Sequence, residues 1–126
     1  MSLQPVPIQN VPGVPDYTCT AFLPKSSDYC LLIPVINEGS RILTELGRAQ
    51  KAGVDRLVDI VICDGGSTDG SMNPDTLELY GVNTLLVKTG PGKQGAQLRM
   101  GLHFALTFGY KGVLTIDGNN KDSIED

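Results

Sequence analysis

Tryptophan is absent from this 126-residue chain, and three Phe and four Tyr bring the aromatic content to only 6%. A platform that stacks successive bases uses more flat side chains than that. Positive charge is also in short supply: ten Lys and Arg face 14 Asp and Glu, for a formal charge of −4. Phosphate backbones are held chiefly by clustered Lys and Arg, so this balance argues against a general nucleic-acid binder. No apolar run nears the ~18 residues of a membrane span, so no transmembrane segment is expected. No secretory leader is visible. The three cysteines, Cys19, Cys30 and Cys63, are odd in number and lack zinc-type spacing. They read as buried thiols in a reducing, cytoplasmic compartment. The single histidine, His103, falls inside a helical pattern, where it reads as a surface or packing residue and supports no Ser-His-Asp arrangement.

What remains is a chain with 40% hydrophobic and 19% charged residues, a globular composition. Residues 1–27 stand apart, because Pro5, Pro7, Pro12, Pro15 and Pro24 remove donors and fix φ. They are expected to form a Pro-rich extended arm. Residues 28–126 are expected to form one α/β domain. Cys30–Ile36, Asp59–Cys63, Asn83–Val87 and Gly112–Ile116 are short, nearly unbroken apolar runs. Such runs suit strands buried on both faces of a parallel sheet. Helical spacing fills the intervals. Ile42, Leu43, Leu46 and Ala49 repeat over 40–52 before Gly53. Residues 75–80 follow Pro74. Leu98, Leu102, Ala105 and Leu106 form a stripe over 93–108. The order β-α-β-α-β-α-β predicts an open, mostly parallel, Rossmann-like sheet with helices on both faces. Right-handed crossovers bring the four strand C-termini to one edge, where such sheets bind ligands.

The residues past those strand ends carry the chemistry. Asp64 and Asp117 each end an apolar run. Two carboxylates at one crevice repel unless a cation lies beside them, and a hard divalent ion shared with a diphosphate meets that need. Either Asp alone also reads as a cap for the next turn. The string 64–71, Asp-Gly-Gly-Ser-Thr-Asp-Gly-Ser, combines glycines that permit sharp turns with side chains suited to capping the next element. Residues 90–95 match G-x-G-x-x-G, with Asp117 near the acidic position of a dinucleotide fingerprint. Pro91 removes an amide from that cradle, and the match comes after the third strand instead of the first. Lys93, at a helix start, and Arg99 read as cations near phosphate, and Arg99 reads equally as a solvated residue.

Four segments together resemble the nucleotide-sugar-binding half of family 2 glycosyltransferases, which have the GT-A fold, nearest the polyprenyl-phosphate (dolichyl-phosphate) sugar synthase type. They are residues 33–38 (Ile-Pro-Val-Ile-Asn-Glu), 61–71, 92–102 and 114–119. The resemblance implies that Pro34, Ile36 and Glu38 line a nucleoside pocket and that Asp64 accepts from the base. It sets Lys93 and Arg99 near the nucleotide or its diphosphate. Asp117 and Asn119 would stand at the D-x-D motif that holds Mg²⁺ or Mn²⁺. The implied donor is a UDP- or GDP-linked sugar, and the implied reaction is inverting transfer to a hydroxyl or a polyprenyl phosphate. A lipid acceptor would make the cytoplasmic protein peripheral to a membrane. Ile36 replaces a frequent aromatic, Gly65 a frequent Asp, and Asn119 the last Asp of the motif, which gives up one charge toward a metal. The acceptor region and the general base are expected beyond Asp126. The stretch is then a truncated donor domain, inactive alone. Two other readings stay open: a non-catalytic nucleotide-binding or regulatory module of the same fold, and an NAD-type domain using Gly90–Gly95.

Overall fold

The computed structural model describes residues 6–7, 13–92 and 94–116. The assignments at Lys93, Asp117 and Asn119 lie outside the described residues. Among the described residues there are six strands: β1 (Val6–Pro7), β2 (Tyr17–Ala21), β3 (Tyr29–Val35), β4 (Asp59–Asp64), β5 (Thr84–Lys88) and β6 (Gly112–Thr115). Three helices, α1 (Ser40–Lys51), α2 (Pro74–Leu79) and α3 (Gln94–Thr107), alternate with β3–β6, and a 3-10 turn at Val54–Arg56 comes after α1. The four apolar runs of the sequence are thus β3 to β6, with bounds shifted by a residue or two.

All strands join one sheet in the order β1-β6-β3-β4-β5-β2. The central four run parallel, while β1 and β2 pair antiparallel at the two edges. The sheet is therefore mixed. Residues 17–21, expected to be part of the arm, form the edge strand β2, with Tyr17 opposite Lys88 and Ala21 opposite Thr84.

Alternation along the strands sorts the core into two layers. Leu31, Ile33 and Val35 of β3 and Ile60 and Ile62 of β4 pack with Ile42, Leu46 and Ala49 of α1 and Leu77 of α2. Cys30 and Leu32, with Val61, Cys63 and Leu86, pack on the other face with Met100, Phe104 and Ala105 of α3. Helices cover both faces, as near-continuous apolar strands require. Burial pushes the Cys30 thiol up to about 12 and drives the Cys63 thiol higher still, so both stay protonated.

Local signals place the helix ends. Gly53 comes after α1 with φ 79°, and its amide donates to Gln50 O at 3.1 Å. Asn73 caps α2 by accepting from the Asp75 and Thr76 amides, with Pro74 in the first turn, where a missing N–H costs nothing. The buried face of α3 keeps Ala105 of the expected stripe, with Leu98 and Leu102 half-buried against the same core, but is turned away from Leu106. Ala96, Gln97, Met100, Phe104 and Ala105 are buried, whereas Leu106 is 50% exposed. The cause is Gly101. A Cβ there would stand 2.7 Å from Cys63 Sγ and 2.9 Å from Leu32 Cδ1, so the backbone of α3 lies directly on the sheet along this line.

Candidate functional site

From β3 the chain steps to β4 and then β5 on one side, through α1 and α2. It returns by α3 to β6 on the other side of β3. The strand order reverses between β3 and β6. In open α/β sheets the crevice at such a reversal, outside the carboxyl ends of the strands, is where ligands bind. Pro34 and Ile36 sit at this reversal. Pro34 is buried inside β3, and its missing N–H is tolerated because β6 pairs only as far as Leu32↔Thr115. Ile36 is 50% exposed, an apolar surface at the mouth of the crevice. Glu38 is two residues further on. Arg41 Nη2 stands 3.0 Å from its Oε2, an ion pair that lacks hydrogen-bond alignment.

The loops after β3 and β4 are tied into one structure. Asn37 adopts φ 46°, a left-handed conformation that Asn tolerates better than most residues. Its amide donates to Ser67 Oγ at 2.9 Å, and its Oδ1 accepts from the Thr68 amide at 2.8 Å. The Gly39 amide donates to Asp69 Oδ2 at 3.0 Å. Asp69, expected to cap the element after its own turn, instead bonds to Ser71 within that turn and serves the start of α1, while Asn73 caps α2; α1 has no acidic residue in its own first turn. The Ser71 hydroxyl and amide, then the Gly39 amide, hold the Asp69 carboxyl below its ordinary value.

A depressed carboxyl contributes to the fold above the ordinary Asp pKa, ~3.9, and loses that contribution as pH falls through its folded value. Asp69→Asn is therefore expected to lower hydrogen-exchange protection at the Gly39 and Ser71 amides at neutral pH. It should also flatten the acid-induced loss of protection there. Unchanged protection at both amides would refute the tie.

Asp64 closes β4 and is 2% exposed. Its Oδ1 accepts from the Ser67 amide at 3.0 Å and from Ser67 Oγ at 2.6 Å. The carboxylate thus shapes the Gly65–Ser67 turn, the capping alternative read from the sequence. Gln97 of α3 completes this end of the sheet. It is 4% exposed, and its Nε2 donates to Val35 O at 2.7 Å and to Cys63 O at 2.9 Å. A Cβ on Gly65 would meet the Gln97 amide at 3.0 Å, which accounts for a glycine where the resembled family often has Asp. Sequence reasoning places Asn37 just past the first strand but gives it no role, and it does not single out Gln97. The available signal is a polar residue on the sheet-facing side of α3 and an Asn directly after an apolar run.

The β5–α3 loop is committed elsewhere. Gly90 N donates to Asp16 O at 3.0 Å, and Lys88 Nζ donates to Gly90 O at 2.8 Å. With Pro91 beside it, the start of this glycine string has no amide to offer a pyrophosphate. Arg99 is exposed, and its Nε donates to Gly13 O at 3.0 Å, so one edge of the guanidinium anchors the arm. His103 Nδ1 lies 2.6 Å from Tyr17 Oη and joins α3 to β2, a packing role.

Among the described residues no group of three or more His, Cys, Asp or Glu could hold a metal ion. β4 and β6 lie on either side of β3, so their ends stand two strand spacings apart, ~9.5 Å. The described residues do not by themselves assemble a metal site. No helix among them is long and apolar enough to cross a membrane. Searches of protein-family models, of curated proteins and of solved structures return no match to this chain.

Proposed function

We propose that the chain binds a nucleoside-diphosphate sugar at the carboxyl-terminal edge of its sheet, as the donor-binding part of a family 2 glycosyltransferase with a Rossmann-like, GT-A architecture. One observation carries the reading. Two of the four segments that resemble that family, 33–38 and 61–71, meet side by side at the carboxyl ends of the neighbouring strands β3 and β4, with β3 bordering the strand-order reversal, and are stitched together through Asn37, Ser67 and Thr68. In this reading Ile36 offers its exposed apolar face to the base. Glu38 Oε2, charge-paired with Arg41 but free of an aligned hydrogen bond, accepts from a ribose hydroxyl.

The diphosphate lies toward the first turn of α3, since a helix start favours an anion, with Lys93 as the adjacent cation. In inverting transfer these donors meet the charge that builds on the departing nucleoside diphosphate, and preorganised electrostatics of this kind is often the largest catalytic term. A divalent ion, Mg²⁺ or Mn²⁺, belongs to Asp117 and Asn119 in the same reading. So do a polyprenyl phosphate acceptor and a cytoplasmic site at a membrane surface.

A second reading, nucleotide binding without transfer, draws support from the engagement of Asp64 by Ser67 and from the uncharged Asn119. Sugar transfer lost on Asp117→Ala separates the first reading from this one, and calorimetry separates both from the dinucleotide alternative. UDP or GDP is expected to bind, and to bind more tightly with Mn²⁺ present. Binding of NADH without metal, with neither nucleotide bound, would overturn the proposal.

A further inference from the structure

At the other end of the sheet β2 is an open edge, with β5 its neighbour on one side and no strand among the described residues on the other. The register assigns its backbone groups. Phe22 N donates to Asn83 O at 2.7 Å, and Thr89 N donates to Asp16 O at 2.8 Å, on either side of the paired stretch. In an antiparallel ladder the exchanging residues alternate, so Thr18 and Thr20 bond inward to Val87 and Leu85. The N–H and C=O groups of Tyr17, Cys19 and Ala21 therefore face outward. Thr18 to Ala21 are exposed, so neither helix layer hinders approach. The strand holds no charged residue and no proline, two of the devices that blunt an edge against pairing.

We propose that two copies of this chain pair antiparallel through β2, about a two-fold axis at Cys19. This register is self-complementary. Tyr17 of one copy stands opposite Ala21 of the other, large against small. Thr18 stands opposite Thr20, a favourable cross-strand pair, and no like charges meet. Cys19 and Ala21 line an apolar hollow of about 170 Å³ with Phe104 and Phe108, on the side of the sheet where Tyr17 packs with α3. Tyr17 of the second copy falls beside Ala21, over that hollow. A ladder of this length alone falls short of the ~1,000 Å² that a stable interface buries. Leu23 and Phe108, 40% and 55% exposed next to the edge, add apolar surface to it. A pair on the two-fold axis that exchanges both hydrogen bonds has its Cα atoms ~5.5 Å apart, within the range of a disulfide. Cys19 is the exposed thiol, while Cys30 and Cys63 are buried.

Sedimentation equilibrium of the chain under reducing conditions is expected to show a reversible monomer–dimer equilibrium. Cys19→Ser should retain it. Cys19→Lys sets two ammonium groups opposite each other on the axis and should weaken association at least tenfold, with an unchanged circular dichroism spectrum. Diamide, which takes one hydrogen from each of two thiols, should link the wild-type dimer through Cys19. A monomer at all concentrations, a Cys19→Lys dimer as tight as the parent, or oxidation that yields no Cys19-linked dimer would each overturn the proposal. Should Cys19→Lys fail to fold, the diamide reaction decides. Capture of another chain's extended segment with no self-association also counts against it.

Discussion

Replacing Gln97 by Glu is expected to destabilise the protein by about 3 kcal/mol or more at neutral pH, because it buries a charge whose two neighbours are both acceptors. The change is isosteric. Its cost comes from turning the Nε2 donor, which faces Val35 O and Cys63 O, into an oxygen. The substituted carboxyl can relieve the conflict by taking a proton, so its folded pKa lies above its unfolded value. The sign is set by proton linkage. The folded form binds the extra proton, so the deficit relative to wild type is smallest below the unfolded Glu pKa, ~4.3. It grows as pH rises through the higher folded value. Denaturant melts of both proteins across pH check this. A deficit that is small and independent of pH would show that Gln97 is not the clasp between β3 and β4. Gln97→Ala, which leaves the carbonyls without inserting a charge, should cost less, about 1–2 kcal/mol.

Asp59→Ala is expected to cost about 3 kcal/mol, a fall in Tm of about 12 °C for a domain of this size. Asp59 is fully buried at the amino-terminal end of β4. Its carboxylate accepts from the Ser26 amide at 2.9 Å, from Ser26 Oγ at 2.7 Å and from Tyr110 Oη at 2.6 Å. It thereby fastens the segment after β2 and the turn before β6 to the central sheet. Burial, then the hydrogen bond to Asp59, raises the Tyr110 hydroxyl well above its ordinary range, so it remains a donor. Lys25 Nζ lies 5.0 Å from the Tyr110 ring centroid and adds a cation–π contact to the same knot. Truncation leaves the Tyr110 hydroxyl without its acceptor, and a buried unmet donor costs more than the bond itself contributes. Asp59→Asn keeps an acceptor and should lose roughly half as much. A melt of Asp59→Ala within about 1 °C of wild type would contradict this role.

The parallel core of the fold is legible in the sequence because β3 to β6 are apolar on both faces, and runs so short and so continuous suit little besides strands sandwiched between helix layers. β2 is not legible. Tyr-Thr-Cys-Thr-Ala alternates apolar with polar side chains over only five residues, is exposed along most of its length, and lies in the proline-rich stretch between Pro15 and Pro24. Its state is set by β5, a tertiary partner. The buried side of α3 is only partly legible, for a related reason: Leu98, Leu102 and Ala105 do pack on the core, but its centre runs through Met100 and Phe104. Leu98, Leu102 and Leu106 outweigh their neighbours in hydrophobicity, yet closest approach is decided by the missing side chain of Gly101. At the candidate site the segments 33–38 and 64–71 are legible, and their adjacency comes from strand order. The residues that fasten them are hidden because Asn37 and Gln97 act on backbone groups, and no spacing rule encodes such bonds. Asp64 carries two readings, and its bonds to Ser67 account for the capping one.

Amide chemical shifts of the isotope-labelled chain, followed as UDP and GDP are titrated in the presence of Mg²⁺, test the proposed nucleotide site most directly. The expected result is a saturable set of changes at Ile36, Asn37, Glu38 and the Gly65–Thr68 turn, abolished or weakened in Asn37→Ala. Saturating nucleotide that leaves those amides unmoved, or that shifts only the opposite edge around Ser26 and Lys111, would contradict it.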